Sequence, residues 1–183
     1  SPALGAAAQR RGGPTLAWAT GLRRLGAAHK VGPEDRWHLG SITKSMTATL
    51  VARAVEAGGV SWTETIGGVL GAAIPDMRAE YRDLNFRHLL SHRGGLQANI
   101  EMAQMLGFPR ESTDSRADRI AYARLGLLQN PVGPKEQTFT YSNTGYVIAG
   151  AMLEAKLGAP WEQLIQQHVF TPLGMASAGQ GAA

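Results

Sequence analysis

Apolar residues at helical spacing, each run closed by glycine or proline, constrain the fold of this chain more than any other feature. Residues 42–57 form the strongest such run, and Gly58 and Gly59 follow directly as a stop signal. The apolar stripe recurs every four residues, at Ile42, Met46, Leu50 and Ala54. This pattern predicts an amphipathic helix that buries one side.

Further segments carry comparable helix signals. Residues 85–90 predict a short helix with asparagine as its N-cap. Residues 116–128 predict a longer helix, which an Asn-Pro pair ends. Residues 143–157 predict another, closed by a glycine, and Pro160 opens the next helix at its first position. The chain is therefore predicted to be rich in helices.

Strand signals are few and lie near the start of the chain. Residues 15–19 read as a short strand, and residues 21–28 as a turn with a second strand. Residues 1–13 leave little room for a preceding helix. The chain has no internal repeat and no long linker. We therefore expect a single region over residues 1–183, of the α/β (α+β) class.

Composition indicates a folded globular chain and excludes several classes of function. Of the 183 residues, 44% are hydrophobic and 17% are charged, which is usual for a folded enzyme. The net charge of +4 comes from scattered arginines, without a basic stripe interleaved with aromatics, so nucleic-acid binding is not expected. No apolar run approaches the roughly 20 residues that span a bilayer.

The cysteine count and the first residues bear on the compartment. The chain has no cysteine, which excludes disulfides and thiolate chemistry but fits either side of a membrane. It starts with Ser and an Ala-rich stretch, consistent with a processed leader. The compartment stays open between periplasmic or secreted and cytoplasmic, and the Ala-rich start favours the former.

Ser41 and Lys44 stand three residues apart at the start of the predicted helix over residues 42–57. This spacing places both side chains on one face of the first turn. A serine hydroxyl is a poor nucleophile until a base takes its proton, and the lysine amine can reach it here. Ser41 alone among nine serines has lysine at this spacing. The pattern indicates a nucleophile with its partner; the alternative is a solvated lysine in an ordinary first turn.

Tyr141 and Asn143 form a second candidate pair. Residues 138–141 read as a short extended segment, in which residues two apart project to the same side. A tyrosinate can take a proton from an attacking hydroxyl, and an asparagine amide can orient a lysine or a substrate carbonyl. The alternative is that Tyr141 packs as a half-buried strand residue and Asn143 is a helix N-cap.

Two further groups are expected to be structural. His88 and His92 have the i, i+4 spacing of zinc ligands, but the adjacent glutamate of a metalloprotease and an evident third ligand are missing. We expect both histidines to make local hydrogen bonds. Met102, Met105 and Leu106 are expected to fill the core or line a cleft rather than bind a cofactor.

Taken together, these motifs resemble those of the serine β-lactamase and penicillin-binding-protein superfamily. The resemblance is to its class C β-lactamase-like branch, which includes the family VIII esterases. Ser41-x-x-Lys44 matches the first motif and Tyr141-x-Asn143 the second. Residues 89–96 match the helix-to-loop segment between the two motifs.

The resemblance covers nearly the whole chain, from about residue 21 to residue 175, and residues 161–175 also match that branch. It implies a β-lactamase/transpeptidase-like fold, of which the chain supplies a helix-rich portion with an incomplete antiparallel sheet. Members usually carry a third motif, Lys-Thr-Gly or an equivalent, well downstream. Neither Lys-Thr-Gly nor Trp-Gly-Gly occurs here. We therefore expect a truncated or split hydrolase, whose open sheet edge self-associates or needs a complementary segment.

The resemblance also implies a reaction and roles for the motif residues. Ser41 would attack the carbonyl of a β-lactam or a small carboxylic ester and form an acyl-enzyme. Lys44 and Tyr141 would share the general-base work, and Asn143 would position Lys44 or the substrate. The Ser41 backbone N–H would give one oxyanion donor. No metal or organic cofactor is implied, and the partner is a small-molecule substrate.

Two alternatives stay open. The first, within the same fold, is a D-alanyl-D-alanine carboxypeptidase-like penicillin-binding protein. The second is a relative that binds its ligand without catalysis. The sequence does not choose between an ester, a lactam and a peptide as substrate, because no third motif is present to define the pocket strand.

Overall fold

The computed structural model describes residues 2–181, which form two compact units. One comprises residues 2–39 with residue 181, and the other residues 40–180. The first unit contains the strands and the second the helices. This helix-rich architecture with a two-stranded antiparallel sheet confirms the predicted class. That residues 1–183 form a single functional region stays a prediction.

The sheet of the first unit is one hairpin. Strand β1 (Ala3–Gln9) pairs antiparallel with β2 (Thr15–Gly21), so that the end of β1 lies opposite the start of β2. In the connecting turn, the Gly13 N–H donates to the Arg10 carbonyl at 2.8 Å. Gly12 there has φ +72°, a backbone conformation that favours glycine. The turn therefore fixes the register of the pair.

The sequence predictions for this unit were partly wrong. The strand over residues 15–19 is confirmed within β2. The second strand expected within residues 21–28 does not form: Gly21 is the last residue of β2, and the next residue, Leu22, makes a single bridge with Lys30. The partner of β2 is instead β1, which sequence reasoning missed. Its alanines have low strand propensity, so pairing with β2 rather than local preference makes this segment extended.

One face of the hairpin is apolar and exposed. Because side chains alternate across a strand, Leu4 on β1 shares a face with Leu16 and Trp18 on β2. Between 53% and 67% of each of these three side chains is exposed. Among residues 2–181, no helix combines the length and apolarity needed to cross a bilayer.

The second unit contains seven α-helices: α1 (Thr43–Glu56), α2 (Ile66–Leu70), α3 (Phe86–Leu90), α4 (Met102–Met105), α5 (Ser115–Leu128), α6 (Asn143–Leu157) and α7 (Trp161–Ile165). A π-helical turn, Gln166–Phe170, extends α7, and single 3₁₀ turns cover Gly40–Ile42 and Ala79–Tyr81. The predicted helices over residues 42–57, 85–90, 116–128 and 143–157 are confirmed. Pro160 is the N-cap of α7 rather than its first residue.

Helix α6 is the centre of the second unit. It packs against α1, α2, α3, α5 and α7, and every residue from 148 to 154 is buried. A helix that is apolar on all sides is stable only inside other elements. At its end Gly158 adopts the left-handed conformation, with φ +75°, as the glycine stop predicts. Burial of α6 in the core therefore fixes the position of its first residue, Asn143.

Helix α1 packs one side on this core. Leu50 and Ala54 from the predicted stripe are buried, together with Thr47 and Val51. Ile42, which begins the stripe, is 60% exposed because it lies in the 3₁₀ turn before α1. The buried side of α1 fixes the start of the helix relative to α6.

Candidate active site

Ser41 lies in the turn that leads into α1. Gly40 precedes it with φ +51°, which favours glycine, and the 3₁₀ turn Gly40–Ile42 presents the serine side chain to solvent. The Lys44 Nζ donates a hydrogen bond to the Ser41 Oγ at 3.1 Å. The structure therefore brings this predicted pair into direct contact at the start of a helix that packs one side on the core.

Lys44 also reaches across to α6. Its Nζ donates to the Asn143 Oδ1 at 2.6 Å. Asn143 in turn donates through its Nδ2 to the Oδ1 of Asn99 at 2.7 Å. Because Asn99 offers an acceptor there, the Asn143 amide keeps its oxygen toward Lys44. Sequence reasoning missed Asn99, an exposed loop residue 44 positions before Asn143 with no local pattern around it.

Tyr141 completes the cluster at the candidate nucleophile. Its ring centroid lies 4.9 Å from the Lys44 Nζ, and 45% of the residue is exposed. Hydrogen bonding with Lys44, then with Ser41, lowers the pKa of Tyr141 below its usual value, and the charge of Lys44 adds to this. These interactions favour the phenolate, the form that can accept a proton.

A second tyrosine, Tyr146, flanks Lys44 but has the opposite environment. Its ring centroid lies 5.7 Å from the Lys44 Nζ, and its hydroxyl donates to the Leu90 carbonyl at 3.0 Å. Burial raises the pKa of Tyr146, and the charge of Tyr141 adds to the shift. Tyr146 is thus kept as a neutral donor, whereas the surroundings of Tyr141 favour its phenolate.

Ser142 lies between Tyr141 and Asn143 and anchors the start of α6. It is the N-cap of α6 and is 2% exposed; its Oγ accepts from the Gly145 N–H at 3.0 Å and donates to the Gln97 carbonyl at 2.6 Å. The alternative in which Asn143 is the N-cap is therefore wrong. Because Ser142 takes that role, the Asn143 side chain is available to Lys44 and Asn99.

The predicted extended segment over residues 138–141 is not part of a strand. It is held instead by the loop after α3, where the His92 carbonyl accepts from the Thr140 N–H at 2.9 Å. Within that loop Gly95 has φ +67°, and a Cβ atom on it would lie 2.3 Å from the Gly133 carbonyl oxygen. Only glycine fits at this position, which explains one glycine of the 89–96 segment.

The two histidines bind separate partners. His88 accepts from the Asn85 N–H at its Nδ1, 3.1 Å away, and its Nε2 lies 2.8 Å from a Glu136 carboxylate oxygen. His92 accepts from the Ser142 N–H at its Nδ1, 3.0 Å away. Both histidines make hydrogen bonds as expected, but among these only the bond between His88 and Asn85 is local in sequence. Within residues 2–181, no three His, Cys, Asp or Glu side chains are grouped as a metal site would require.

The apolar residues around α4 differ from expectation. Met102 is 68% exposed and Leu106 is 78% exposed, so core filling is wrong for both. Met102 is the first residue of the four-residue helix α4 and Leu106 is its C-cap, and the periodicity of so short a segment does not specify a buried face. That this cluster lines a cleft stays a prediction.

The cluster of Ser41, Lys44, Tyr141 and Asn143 has a definite chemical capacity. It places a hydroxyl against an amine, beside a phenol whose pKa is lowered. Groups at such distances can move a proton from a hydroxyl that attacks an electrophilic carbon. Each comes from a different turn or helix end, and α1 and α6 hold them together.

The chain is similar to known proteins. The family model described as Beta-lactamase matches residues 1–183. Penicillin-binding protein 4 from Amycolatopsis lactamdurans is 29% identical over 158 residues, which cover 86% of this chain and 39% of that protein.

Two solved structures have similar folds. A penicillin-binding protein homologue from Pyrococcus abyssi, described as octameric, superposes with a TM-score of 0.74 at 28% identity, covering 96% of this chain and 40% of that one. A D-amino acid amidase from Ochrobactrum anthropi SV3, in complex with D-phenylalanine, superposes with a TM-score of 0.69 at 26% identity, covering 94% and 45%. The chain thus spans between 39% and 45% of the length of these three relatives.

Proposed function

The chain belongs to the Beta-lactamase family, a family of serine hydrolases, and from this membership and the site geometry we propose that it hydrolyses an acyl substrate through Ser41. One observation carries the proposal. The Lys44 Nζ lies 3.1 Å from the Ser41 Oγ and 2.6 Å from the Asn143 Oδ1. The amine is thereby held in contact with the hydroxyl it is to activate.

In the proposed reaction, the Ser41 Oγ attacks the carbonyl carbon of the substrate and gives its proton to the base formed by Lys44 and Tyr141. The lowered pKa of Tyr141 supports its part in this step. The tetrahedral intermediate then collapses, the bond to the leaving group breaks, and Tyr141 returns the proton to that group. Water then attacks the acyl carbonyl and gives a proton to the same base; the bond to the Ser41 Oγ breaks, that oxygen regains the proton, and the carboxylic acid is released.

Asn143 and the backbone of Ser41 have supporting roles in this proposal. The Asn143 carbonyl oxygen positions Lys44, while the bond to Asn99 keeps the amide from rotating. The Ser41 backbone N–H donates to the developing oxyanion; one such donor typically contributes about 10²–10³ in rate. No step needs a metal or an organic cofactor.

The first candidate substrates are β-lactams and small carboxylic esters. Both present a carbonyl that one activated serine can attack, and family membership supports the β-lactam. The exposed position of Ser41 at a helix start leaves room for a small molecule to approach. The non-catalytic relative is disfavoured by the contact between Lys44 and Ser41, which a binding role does not require.

A second candidate is an amide or peptide that ends in a D-amino acid. Two similarities favour it, to a penicillin-binding protein and to a D-amino acid amidase. The same cluster would act on the amide carbonyl, with Tyr141 returning the proton to the leaving amine. The two candidates differ in leaving group and not in nucleophile.

Labelling with a fluorophosphonate tests the nucleophile. Intact-mass spectrometry of the 183-residue chain is expected to show one adduct, and peptide mapping to place it on Ser41. Ser41→Ala should abolish the adduct. Ser91→Ala is the matched control, because Ser91 is also exposed and its hydroxyl donates to the Arg87 carbonyl, outside the cluster. An adduct that persists in Ser41→Ala overturns the proposal.

Turnover of three substrates separates the candidates. A chromogenic cephalosporin, a short-chain nitrophenyl ester and D-phenylalanine amide present the same kind of carbonyl with different leaving groups. Hydrolysis of the first two supports the first candidate, and hydrolysis of the amide alone supports the second. Each activity should disappear in Ser41→Ala.

We also propose that the chain self-associates through the exposed face of the hairpin. Leu4, Leu16 and Trp18 form an apolar row there, and the similar Pyrococcus abyssi protein is described as octameric. Exposed apolar rows on a sheet favour pairing with another chain. Light scattering after size-exclusion chromatography should show a smaller mass for Trp18→Ser than for the parent chain. An unchanged mass contradicts this role of the face.

A further inference from the structure

One residue outside the four-residue cluster, His92, contacts three consecutive residues around the candidate base. Its carbonyl accepts from the Thr140 N–H at 2.9 Å, and its Nδ1 accepts from the Ser142 N–H at 3.0 Å. Between these two bonds, its ring stacks on the Tyr141 ring with the centroids 4.6 Å apart and the planes tilted by 32°. The segment 140–142 is therefore held at both ends and in the middle by the same residue.

We propose that His92 is the positioning residue of Tyr141, and that it works only as a neutral imidazole. In this role it fixes segment 140–142 so that the Tyr141 phenol stays at Ser41 and Lys44. The inference rests on the proposed function, since it assumes that Tyr141 transfers a proton at Ser41. His92 itself touches neither substrate nor reacting atoms in this scheme.

The backbone and ring of His92 fit this role in a way that few residues could. Its φ of +60° is left-handed, a conformation that Asn, Asp and His adopt more readily than other side-chain-bearing residues. Its ring fills a space between aromatic neighbours, with the Phe139 ring 5.7 Å away edge-on and the Tyr146 ring 5.3 Å away. An asparagine could supply the acceptor there, but not the stacked ring.

The hydrogen bond from Ser142 fixes the protonation of His92. A ring nitrogen accepts only when it carries no proton, so Nδ1 is bare and the proton of the neutral ring is on Nε2. Protonation at Nδ1 would remove the acceptor and leave the Ser142 N–H without its partner. Because Ser142 is buried, water does not readily replace that partner.

The surroundings of His92 oppose a positive charge. Burial lowers the pKa of His92, and the nearby charge of Lys44 on α1 lowers it further. Among the described residues, the other titratable groups facing the ring are the phenols of Tyr141 and Tyr146. The neutral form thus persists below the pH at which a free histidine is half protonated.

A pH dependence follows, with a definite sign. Above the lowered pKa of His92, the imidazole is neutral and holds segment 140–142. As the pH falls through that pKa, the ring gains a proton, the bond from Ser142 is lost, and Tyr141 is released. The loss should therefore occur on the acid side of neutrality, separate from any limb due to Tyr141 itself.

Two variants separate the acceptor from the ring. His92→Asn keeps an acceptor, because Oδ1 of asparagine and Nδ1 of histidine are both bonded to Cγ; it also tolerates the left-handed backbone and does not titrate. His92→Phe keeps an aromatic ring but has no acceptor. If His92 only packs, Phe should replace it better than Asn. If it positions by the hydrogen bond, the order is reversed.

The first readout is the rate of fluorophosphonate labelling at Ser41 between about pH 5 and pH 8, the range in which histidine titrates. At pH 8 we expect His92→Phe to react about tenfold more slowly, the size expected for one lost hydrogen bond to a buried group. His92→Asn should stay closer to the parent rate, and its acid limb should be flattened. A rate for His92→Phe equal to that of the parent chain overturns the inference.

The second readout does not depend on activity. Hydrogen exchange of the Ser142 amide, followed by NMR, should be slow in the parent chain and in His92→Asn, and fast in His92→Phe. Acid should lower its protection factor, the ratio of the intrinsic to the observed exchange rate, in the parent chain only. A Ser142 amide that stays protected in folded His92→Phe overturns the inference. Absence of labelling at Ser41 in the parent chain, with this exchange pattern intact, would instead overturn the proposed function.

Discussion

The Lys44 Nζ lies 2.6 Å from the Asn143 Oδ1, although the two residues are 99 positions apart in the chain. Lys44 belongs to the first turn of α1, and Asn143 is the first residue of α6. Both helices bury their apolar sides in the same core, so the packing of that core sets this distance. The candidate site is thus a junction of two helix starts rather than a feature of one loop.

Loss of either proposed base should slow acylation strongly. Lys44→Ala and Tyr141→Phe are each expected to reduce the rate of Ser41 labelling by a factor of about 10²–10⁴, as general acid–base groups do. The rate loss in the double variant should be much smaller than the product of the two single losses, because the two groups act as one unit. Tyr146→Phe is the control, since its hydroxyl donates to the Leu90 carbonyl. A near-normal rate for Tyr141→Phe would make Tyr141 a packing residue.

The pH profile of labelling should report the phenol of Tyr141. Hydrogen bonding with Lys44 and Ser41 lowers the pKa of Tyr141, so the phenolate is populated at a lower pH than for free tyrosine, whose pKa is 10.0. The rate is expected to rise with pH through this lowered pKa and then level off. Tyr141→Phe should remove that rise. A rise that persists in the variant would assign it to another group.

Ser142→Ala should destabilise the second unit more than an ordinary cap substitution. It removes the N-cap of α6, which typically costs about 0.5–2 kcal/mol, and leaves the Gln97 carbonyl without its donor. Asp114→Ala is the matched control, because Asp114 caps α5 from an exposed position. Urea denaturation should give the larger loss of unfolding free energy for Ser142→Ala. Equal losses would mean that burial of the cap adds nothing.

Two arginines of α5 should differ in their importance for stability. Arg119, with 16% of its side chain exposed, pairs with the buried Glu154 and with the half-buried Glu162. Arg124 pairs with Asp76 at the surface. Arg119→Met should cost about 3–5 kcal/mol, because it leaves a buried carboxylate unpaired. Arg124→Met should cost less than about 1 kcal/mol, as for other surface pairs. Chemical denaturation measures both, and similar values would contradict the buried bridge.

Glu154→Gln should change how stability depends on pH. Burial raises the pKa of Glu154 above its usual 4.5, against the opposing effects of the Trp161 N–H and Arg119. The folded state then holds a proton that the unfolded state releases, so this carboxyl favours folding below about pH 4.5 and loses that contribution as the pH rises through its raised pKa. The free energy of unfolding of Glu154→Gln relative to the parent chain should therefore increase with pH. A difference that is constant from pH 4 to pH 8 would contradict the shift.

Local sequence rules were sufficient for elements whose signals lie within the element. The stop glycine after residues 42–57, the asparagine before α3 and Gly158 after α6 each act on the adjacent backbone, and each was found where predicted. The spacing of Ser41 and Lys44 belongs to the same class, because a single turn sets it. Strand β1 could not be predicted in this way, because alanine has no strong preference for strands and only pairing with β2 makes the segment extended.

The sequence by itself indicated helices α1, α3, α5, α6 and α7, the family, and the four residues Ser41, Lys44, Tyr141 and Asn143 of the candidate site. Only the tertiary structure decided which of these residues meet and how. The contacts of Asn143 with Lys44 and Asn99, and of His92 with Ser142, join positions between 44 and 99 residues apart. No periodicity encodes such contacts, because the packing of α1, α3 and α6 around a common core, and not the local backbone, brings their ends together.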